Sequence, residues 1–288
     1  MDTELARTFL TVIAAGSFVG AAELLHVSQS TVSARIRALE EQLGCSLFVR
    51  NKAGTRLTAA GRQFHKHAAV LVRTVEQARQ DAGTPSGFDG VLTVGGRFGL
   101  WEELLLAWLP LMRRAAPGIL LRAEIGFEEE LMRGLLEGRL DIAVMYTPQS
   151  RPGLAVERLL EERLVLVASE PEAPPAPARG YVLVDWGPEF LAQHNVFFPA
   201  FSSAGLMVNI GWLGLQHIRR HGGSGYFPLR LVADELRRGR LHRVPDAPEF
   251  RLPAYLVHPE EPADAALDAA LGLMRGLAAS GRAEEEKA

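Results

Sequence analysis

A short polar segment near the N-terminus has the residue types that read nucleic acid. Val32 and Ile36 recur at helical spacing and are predicted to bury one face, which leaves Ser30, Ala34 and Arg37 on the other. Small side chains on that face let the backbone approach base edges, and arginine bonds guanine in the major groove. The segment therefore has the chemistry of a DNA recognition helix.

The neighbouring polar residues complete a predicted set of DNA contacts. Gln29 and Arg37 can bond base edges, the hydroxyl groups can bond phosphate or base, and Arg35 on the flank suits a phosphate. Basic residues on the following hairpin can reach the adjacent backbone or minor groove. The alternative is a small helical subdomain with a solvated polar face. The predicted contacts are Ser28, Gln29, Ser30, Thr31, Ser33, Arg35, Arg37, Arg50, Lys52 and Arg56.

A second candidate site is the segment GGRFGLW at 95–101, between a predicted strand and a predicted helix. Free amides at a helix N-terminus attract an anion, and Arg97 can add a contact, with Phe98 or Trp101 as an apolar wall. The alternative is that Arg97 is a solvated loop residue and Trp101 belongs to the core. Other loops at strand ends add candidates. The predicted ligand contacts are Arg97, Phe98, Gly99, Trp101, Phe127, Tyr146, Thr147 and Ser224.

The sequence does not mark a catalytic or metal site. His65 and His67 lie two positions apart on a predicted helix, so their side chains diverge. His217 and His221 have the spacing of metal ligands, but no HExxH motif or nearby cysteine accompanies them, and a solvated helix face is the alternative. The GxSxG elbow is also absent. We expect no enzyme activity, metal or cofactor; the alternative is an enzyme or a small-molecule binding protein without a DNA role.

Helices and one hairpin are predicted to position the basic face. Apolar residues recur at helical spacing in three short segments, and small polar residues or glycines separate them. Residues 47–58 have the pattern of two short strands, and Thr58 begins a long helix that reaches about Gln80. The predicted boundary residues of the three short helices are Gly16, Ser17, Ser28 and Gly44.

The pattern changes after the linker GTPSG at 83–87. From Val91 onward, apolar strands alternate with helices, which is typical of a mainly parallel sheet covered by helices. The segment at 171–180 is a proline-rich surface loop, and a last helix is predicted at about 263–279. The chain is therefore predicted to be α/β with an N-terminal all-α winged helix-turn-helix.

The charge distribution agrees with a polyanion partner. The 288 residues carry a net charge of −3, but ten basic and six acidic residues give the first 80 positions a charge of +4. A basic end on an acidic body suits binding to nucleic acid.

Cys45 is the single cysteine, and the N-terminus lacks the basic region of a secretory signal. We therefore expect a cytoplasmic protein.

The residues from Asp2 to about Gly61, including AAELLHVSQSTVSARIRALEEQLGCSLFVR and RLTAAG, resemble the DNA-binding part of LysR-type transcriptional regulators. The part after Val91 is similar to the effector domain of that family. The resemblance implies a transcription regulator, either activator or repressor, whose two-lobed, periplasmic-binding-protein-like (type 2) domain binds a small-molecule effector. The loop with Arg97 is the reason to expect an anionic effector. LysR-type regulators often have Ser or Thr near the cap of the helix that follows the loop with Arg97, whereas this chain has Gly99 there. RNA polymerase is a further candidate partner.

The resemblance also sets the predicted domains. These are a winged helix-turn-helix at 1–58, a linker helix and hinge at 59–87, an effector-binding domain at 88–282 and a disordered tail at 283–288. Lobe I covers about 91–164 and 256–282, and lobe II covers about 165–255.

The linker helix is predicted to join two copies of the chain. Its apolar stripe has no obvious partner within its own subunit, so two copies packed antiparallel would bury both stripes. A dimer presents two recognition helices to palindromic double-stranded DNA, and the family resemblance favours a tetramer. The alternative is a helix that packs only on its own domain. The stripe consists of Phe64, Ala68, Leu71, Val72, Val75 and Ala78.

Overall fold

The computed structural model describes residues 2–51, 54–83, 85–260 and 265–285. Its N-terminal unit has the predicted order of three helices, a hairpin and a long helix. The side chains of Asp2, Ser17 and Ser28 each accept a hydrogen bond from a backbone amide inside the helix that follows, which fixes where the three helices begin. The elements are α1 (Thr3–Ala15), α2 (Phe18–Leu24), α3 (Gln29–Leu43), β1 (Phe48–Asn51), β2 (Gly54–Leu57) and α4 (Ala59–Ala82).

An aromatic core holds this unit together. The Phe9 ring centroid lies 5.2 Å from those of Phe48 and Phe64, so α1, the hairpin and α4 meet at one point. Val32 and Ile36 on α3 are buried in the same core. One face of α3 is therefore fixed inward and the opposite face points away from the protein.

The long helix α4 packs on α1 of its own unit. Phe64, Ala68 and Val72 are buried in the core shared with α1, whereas Val75 is partly buried and Val70 is exposed. The expectation that the apolar stripe of α4 has no partner within the subunit is therefore wrong for half of the stripe. The aromatic cluster around Phe9 explains why this half packs on α1.

The second part of the chain is built on a mixed sheet. In the described residues the strand order is β10-β6-β11-β5-β3-β4, with β9 also paired to β6, and β7 and β8 form a separate pair. The elements are β3 (Gly90–Gly96), α5 (Phe98–Leu100), a π-helical turn (Trp101–Leu105), α6 (Leu106–Ala115), β4 (Ile119–Ile125), α7 (Glu128–Leu136), β5 (Ile142–Met145), β6 (Leu154–Ala168), β7 (Val182–Val184), α8 (Pro188–Phe197), β8 (Leu206–Val208), α9 (Gly211–His221), β9 (Ser224–Pro228), α10 (Leu229–Arg237), β10 (His242–Arg243), β11 (Phe250–Pro259) and α11 (Ala265–Glu285).

The prediction of a mainly parallel sheet is wrong. Strand β3 pairs in parallel with β4 and β5, but β6 pairs antiparallel with β11, β9 and β10. The antiparallel pairs arise because β6 is 15 residues long, from Leu154 to Ala168, and pairs with every residue of β11. These two strands run from one lobe to the other. The lobe boundaries predicted at 164–165 and 255–256 fall inside them.

The end of the chain differs from its prediction in one respect. Helix α11 continues to Glu285, so positions 283–285 are helical rather than disordered, and residues 286–288 lie outside the described part. In the described residues, no single helix is long and apolar enough to cross a membrane. The pair α1 and α2 reaches that length and hydropathy only together, with a bend of 116°.

Candidate nucleic-acid interface and effector pocket

The recognition helix α3 presents its predicted contacts on the surface. Gln29, Ser30 and Arg37 are exposed, and Thr31 and Ser33 are half-buried beside them. This is the face opposite the buried core, so it is free to enter a groove. Helix α3 has 15 residues and is therefore about 22 Å long, and its N-terminal turns carry most of the predicted contacts.

Ser28 has mainly a structural role at the start of α3. Its Oγ accepts from the Thr31 amide at 3.1 Å and lies 2.7 Å and 2.8 Å from the hydroxyl oxygens of Ser30 and Thr31. These hydroxyls order one another at the helix end. They are therefore positioned before DNA arrives.

Arg35, which is predicted to contact a DNA phosphate, has partners within the protein. Its Nη1 lies 3.3 Å from a carboxylate oxygen of Glu4 and donates to the Thr8 hydroxyl at 3.4 Å, both on α1. The Arg35 side chain is 28% exposed. The main effect of Arg35 in this structure is to tie α3 to α1.

The hairpin after α3 is held at a fixed angle. The Glu40 carboxylate accepts from the amides of Leu47 and Phe48 at 2.7 Å and 3.2 Å, and the Thr58 amide donates to the Leu47 carbonyl at 2.9 Å. A Cβ at Gly61 would lie 2.2 Å from that carbonyl oxygen, so α4 approaches β1 as closely as glycine allows.

Two of the three basic hairpin residues lie in the described hairpin. Arg56 is exposed on β2, opposite Val49. The backbone of Arg50 pairs with Thr55 on the same hairpin. Lys52 lies outside the described residues.

A second candidate site lies between the two lobes, as a pocket of about 90 Å³. Lobe I contributes the loop before α5 and the start of α7, and lobe II contributes the start of α9. Five predicted ligand contacts come together here: Arg97, Phe98, Gly99, Phe127 and Tyr146.

Arg97 is the main polar group of this pocket. Its side chain is 11% exposed, with Nη1 3.3 Å from a carboxylate oxygen of Glu128 and Nη2 donating to the Asn209 carbonyl at 3.3 Å. The guanidinium also lies 4.5 Å from the centre of the Phe127 ring. Because Asn209 belongs to lobe II, Arg97 bridges the lobes. It is therefore not a freely solvated loop residue.

Aromatic residues line or flank much of the pocket. The rings of Phe98 and Trp212 face each other across the lobes at 5.9 Å, and those of Tyr146 and Trp186 meet edge to face at 6.3 Å. A Cβ at Gly99 would lie 3.6 Å from the Tyr146 hydroxyl oxygen. Because glycine has no Cβ, the space above Tyr146, which forms the floor of the pocket, stays open.

A buried ion pair supports the floor. The Tyr146 hydroxyl lies 3.5 Å from Glu162, which is 1% exposed and receives a hydrogen bond of 2.6 Å from Arg230 Nε. Burial, and next the Glu162 charge, raise the pKa of Tyr146 well above its usual value. Tyr146 therefore stays a neutral hydrogen-bonding phenol.

Three predicted ligand contacts lie outside the pocket lining. Trp101 is buried beneath β3, and its indole donates to the Glu124 carbonyl at 2.8 Å, which fits the core alternative. Thr147 faces the Gly187 loop of lobe II. Ser224 is buried at the start of β9, paired with Ala168.

Sequence reasoning missed the half of the pocket that lobe II supplies. Asn209, Ile210 and Gly211 line it at the junction of β8 and α9, and Trp186 lies beneath them. A Cβ at Gly211 would lie 2.2 Å from the Trp186 ring. These residues link a strand to a helix, as positions 95–101 do. The same pattern in the sequence therefore marks both halves of the pocket.

Metal ligands do not gather anywhere in the described ranges as groups of three or more His, Cys, Asp or Glu side chains. His217 and His221 do lie side by side on α9, with ring centroids 5.0 Å apart.

Comparisons with known proteins cover most of the chain. Residues 3–62 match the bacterial regulatory helix-turn-helix protein, lysR family, and residues 85–279 match the LysR substrate binding domain. The chain belongs to the LysR family. As a LysR-type regulator, it is a DNA-binding transcription regulator with an effector-binding domain.

Individual relatives of this LysR-type regulator agree. The HTH-type transcriptional regulator HdfR of Salmonella schwarzengrund (strain CVM19633) is 31% identical over 260 residues, which cover 89% of this chain and 92% of the relative. The crystal structure of ArgP from Mycobacterium tuberculosis is 26% identical, with a TM-score of 0.58 and coverage of 96% and 97%. Vibrio fischeri DarR in complex with DNA shares the fold, with 18% identity, a TM-score of 0.58 and coverage of 96% and 99%. The resemblance and the fold class inferred from the sequence are thus confirmed.

Proposed function

We propose that two copies of this LysR-type regulator read a palindromic operator through α3. The observation that carries the proposal is the two-sided character of α3, with Val32 and Ile36 buried and Gln29, Ser30 and Arg37 exposed. Gln29 and Arg37 bond base edges, and the hydroxyl groups bond phosphate or base. The basic residues that follow α3 contact the adjacent phosphate backbone of the DNA; they are Arg50, Lys52 and Arg56.

Fluorescence anisotropy with labelled DNA from upstream of its own gene tests this proposal. Binding should persist against excess competitor DNA at moderate salt. Arg37→Ala should weaken operator binding by about 1–3 kcal/mol. The matched control is Arg113→Ala, which removes an exposed arginine from α6 in the other domain. Equal and weak affinity of the wild type for every duplex would refute the proposal.

The two copies join through α4, and further contacts make a tetramer. Val70 supports this arrangement, because it is 53% exposed on the side of α4 away from the α1 core. Val70→Glu should shift the mass measured by light scattering toward the monomer.

The regulator works in the cytoplasm, where the chromosome and RNA polymerase are, as an activator or a repressor.

The cleft pocket binds a small organic carboxylate as the effector. Arg97 is the anion contact, and the effector replaces Glu128 as its partner. The free amides at the start of α9 add donors. A volume of about 90 Å³ is below the roughly 300 Å³ of pockets for drug-sized molecules, which favours a compact ligand.

Effector binding changes the angle between the lobes and so the spacing of the recognition helices. Arg97 and Phe98 already contact lobe II, so a ligand that competes for these contacts shifts the population between two arrangements. Calorimetry with a panel of small carboxylates should identify a ligand that Arg97→Ala no longer binds. Undiminished binding by this variant would refute the role of Arg97, and superimposable scattering profiles with and without the ligand would refute the mechanism.

A further inference from the structure

A second and larger cavity lies between the DNA-binding unit and lobe I, away from the cleft. Its volume is about 290 Å³, against about 90 Å³ for the cleft pocket. Helices α1, α2 and α4 form one wall, and α7 with the loop at 149–151 forms the other. We call it the junction cavity. Because an apolar cavity of about 150 Å³ accepts benzene, a small organic molecule fits here.

The floor of the junction cavity is apolar. Leu10 and Val72 from the DNA-binding unit and Met132 from lobe I are buried at its base. Leu24 on α2 remains 46% exposed, and Leu136 on α7 is half-buried. Both leucines face a space that a hydrophobic group would fill.

The rim of the junction cavity carries cationic groups that lack carboxylate partners. Within the described ranges, no carboxylate oxygen lies within 4.0 Å of a guanidinium nitrogen of Arg133 or Arg151. Among the described residues, the Arg151 guanidinium donates to the side-chain oxygen of Gln149, two positions earlier in the chain. Arg7 differs, because it pairs with Glu76 through Nη2 and its Nε lies 3.9 Å from a carboxylate oxygen of Glu4; among the described residues this buried Nε has no hydrogen-bond partner.

Acidic groups on the rim do not cancel this charge. The carboxylate of Glu137 already pairs with Arg139 at 2.8 Å. That leaves Glu129 against the two arginines, Arg133 and Arg151, and a net positive rim. A hydrophobic cation is therefore disfavoured, and a neutral apolar ligand would leave the guanidinium donors unused.

We propose that the junction cavity is a second ligand site, which takes an amphipathic organic anion. The carboxylate of the ligand bonds Arg133 and Arg151, and its hydrocarbon part lies on Leu10, Leu24 and Leu136. Such a ligand touches both walls and holds the DNA-binding unit against lobe I. That consequence for regulation rests on the proposed function, whereas binding itself does not.

Calorimetry on the full chain with octanoate as the probe tests the site. We expect saturable binding that is stronger than for 1-octanol or octylammonium. Arg133→Gln should weaken octanoate binding about tenfold, which corresponds to one charge-assisted hydrogen bond. Leu24→Trp should fill the cavity from its exposed side and abolish binding, with circular dichroism to show that the variant is folded.

Two control variants separate the junction cavity from other sites. Arg113→Gln removes an exposed arginine elsewhere in lobe I, and Arg97→Ala alters the cleft. Arg113→Gln should bind octanoate with the wild-type affinity, and Arg97→Ala should keep saturable octanoate binding. Loss of binding in Arg97→Ala would place the probe in the cleft and overturn the inference. No saturable binding at millimolar octanoate, or equal binding of octylammonium, would also overturn it. None of these outcomes depends on DNA binding, so failure here is distinct from failure of the proposed function.

Discussion

Breaking the buried ion pair behind the cleft should destabilise the effector domain strongly. Glu162 is 1% exposed and Arg230 is 16% exposed, and the guanidinium donates to the carboxylate from both Nε and Nη2. Arg230→Met leaves the carboxylate buried without a counter-charge, which costs about 3–5 kcal/mol. A domain of this size loses about 2–4 °C in Tm for each kcal/mol, so the expected fall is about 6–20 °C.

Urea unfolding followed by tryptophan fluorescence measures this cost, and a second pair gives the control. Glu161, the neighbour of Glu162 on β6, pairs with Arg251 at 2.6 Å, but Arg251 is 70% exposed. Arg251→Met should therefore cost less than about 1 kcal/mol. The double variant Glu162→Met with Arg230→Met should return to within about 1 kcal/mol of the wild type or exceed it, because no buried charge remains. The reasoning fails if Arg230→Met costs no more than Arg251→Met, or if the double variant stays as unstable as Arg230→Met.

Three further predictions concern single positions. Gly211→Ala places a Cβ 2.2 Å from the indole beneath it, so it should destabilise the domain by about 1–3 kcal/mol and weaken effector binding in a calorimetric titration. Gly61→Ala pushes against the carbonyl before β1 and should weaken operator binding in an anisotropy assay by displacing the hairpin. Hydrogen bonds from Arg275 and then His258 lower the pKa of Glu157 to about 2, so its contribution to stability should be complete above about pH 4.5 and disappear as the pH falls toward 2. Glu157→Gln should therefore flatten the fall of Tm over that range, and an unchanged slope would contradict the assignment.

The DNA-binding unit was predictable because its signals are local. Serine caps at Ser17 and Ser28 and glycines at Gly16 and Gly44 mark helix ends within a few residues of the groups they bond. The role of Arg35 was not predictable in the same way. Its partner Glu4 lies on another helix, and only the folded packing brings α1 beside α3.

The sheet and the cleft depended on distant pairings. Short apolar runs identified most strands, but they do not give the direction in which β6 pairs with β11. The lobe I half of the cleft was found from a loop between a strand and a helix. The prediction of Trp101 as a ligand contact failed because a tryptophan beside such a loop can turn toward the ligand or toward the core. In the structure the indole turns toward the core, where it donates to the Glu124 carbonyl.

Helix α7 connects the two sites. At its start, Phe127 lies under the Arg97 guanidinium, with the ring centre 4.5 Å away. At its other end, Leu136 lines the junction cavity. A Cβ at Gly138, just beyond α7, would lie 2.8 Å from the Cα of Arg73 on α4, so the turn after α7 is in direct contact with the linker helix. The helix is only nine residues, or about 13.5 Å, so it moves as a rigid rod.

Rigid displacement of α7 should couple the cleft to the junction cavity. An effector that replaces Glu128 as the partner of Arg97 moves the start of α7, and the other end of the helix then changes the distance between the walls of the junction cavity. Calorimetric titrations of octanoate with and without saturating effector should differ by a factor of about 5 or more, and the effector titrated with and without octanoate should differ by the same factor, because linkage is reciprocal. Leu24→Trp should bind effector but show no response to octanoate. Equal affinities in both orders of addition would mean that the two sites are independent and that α7 does not transmit the signal.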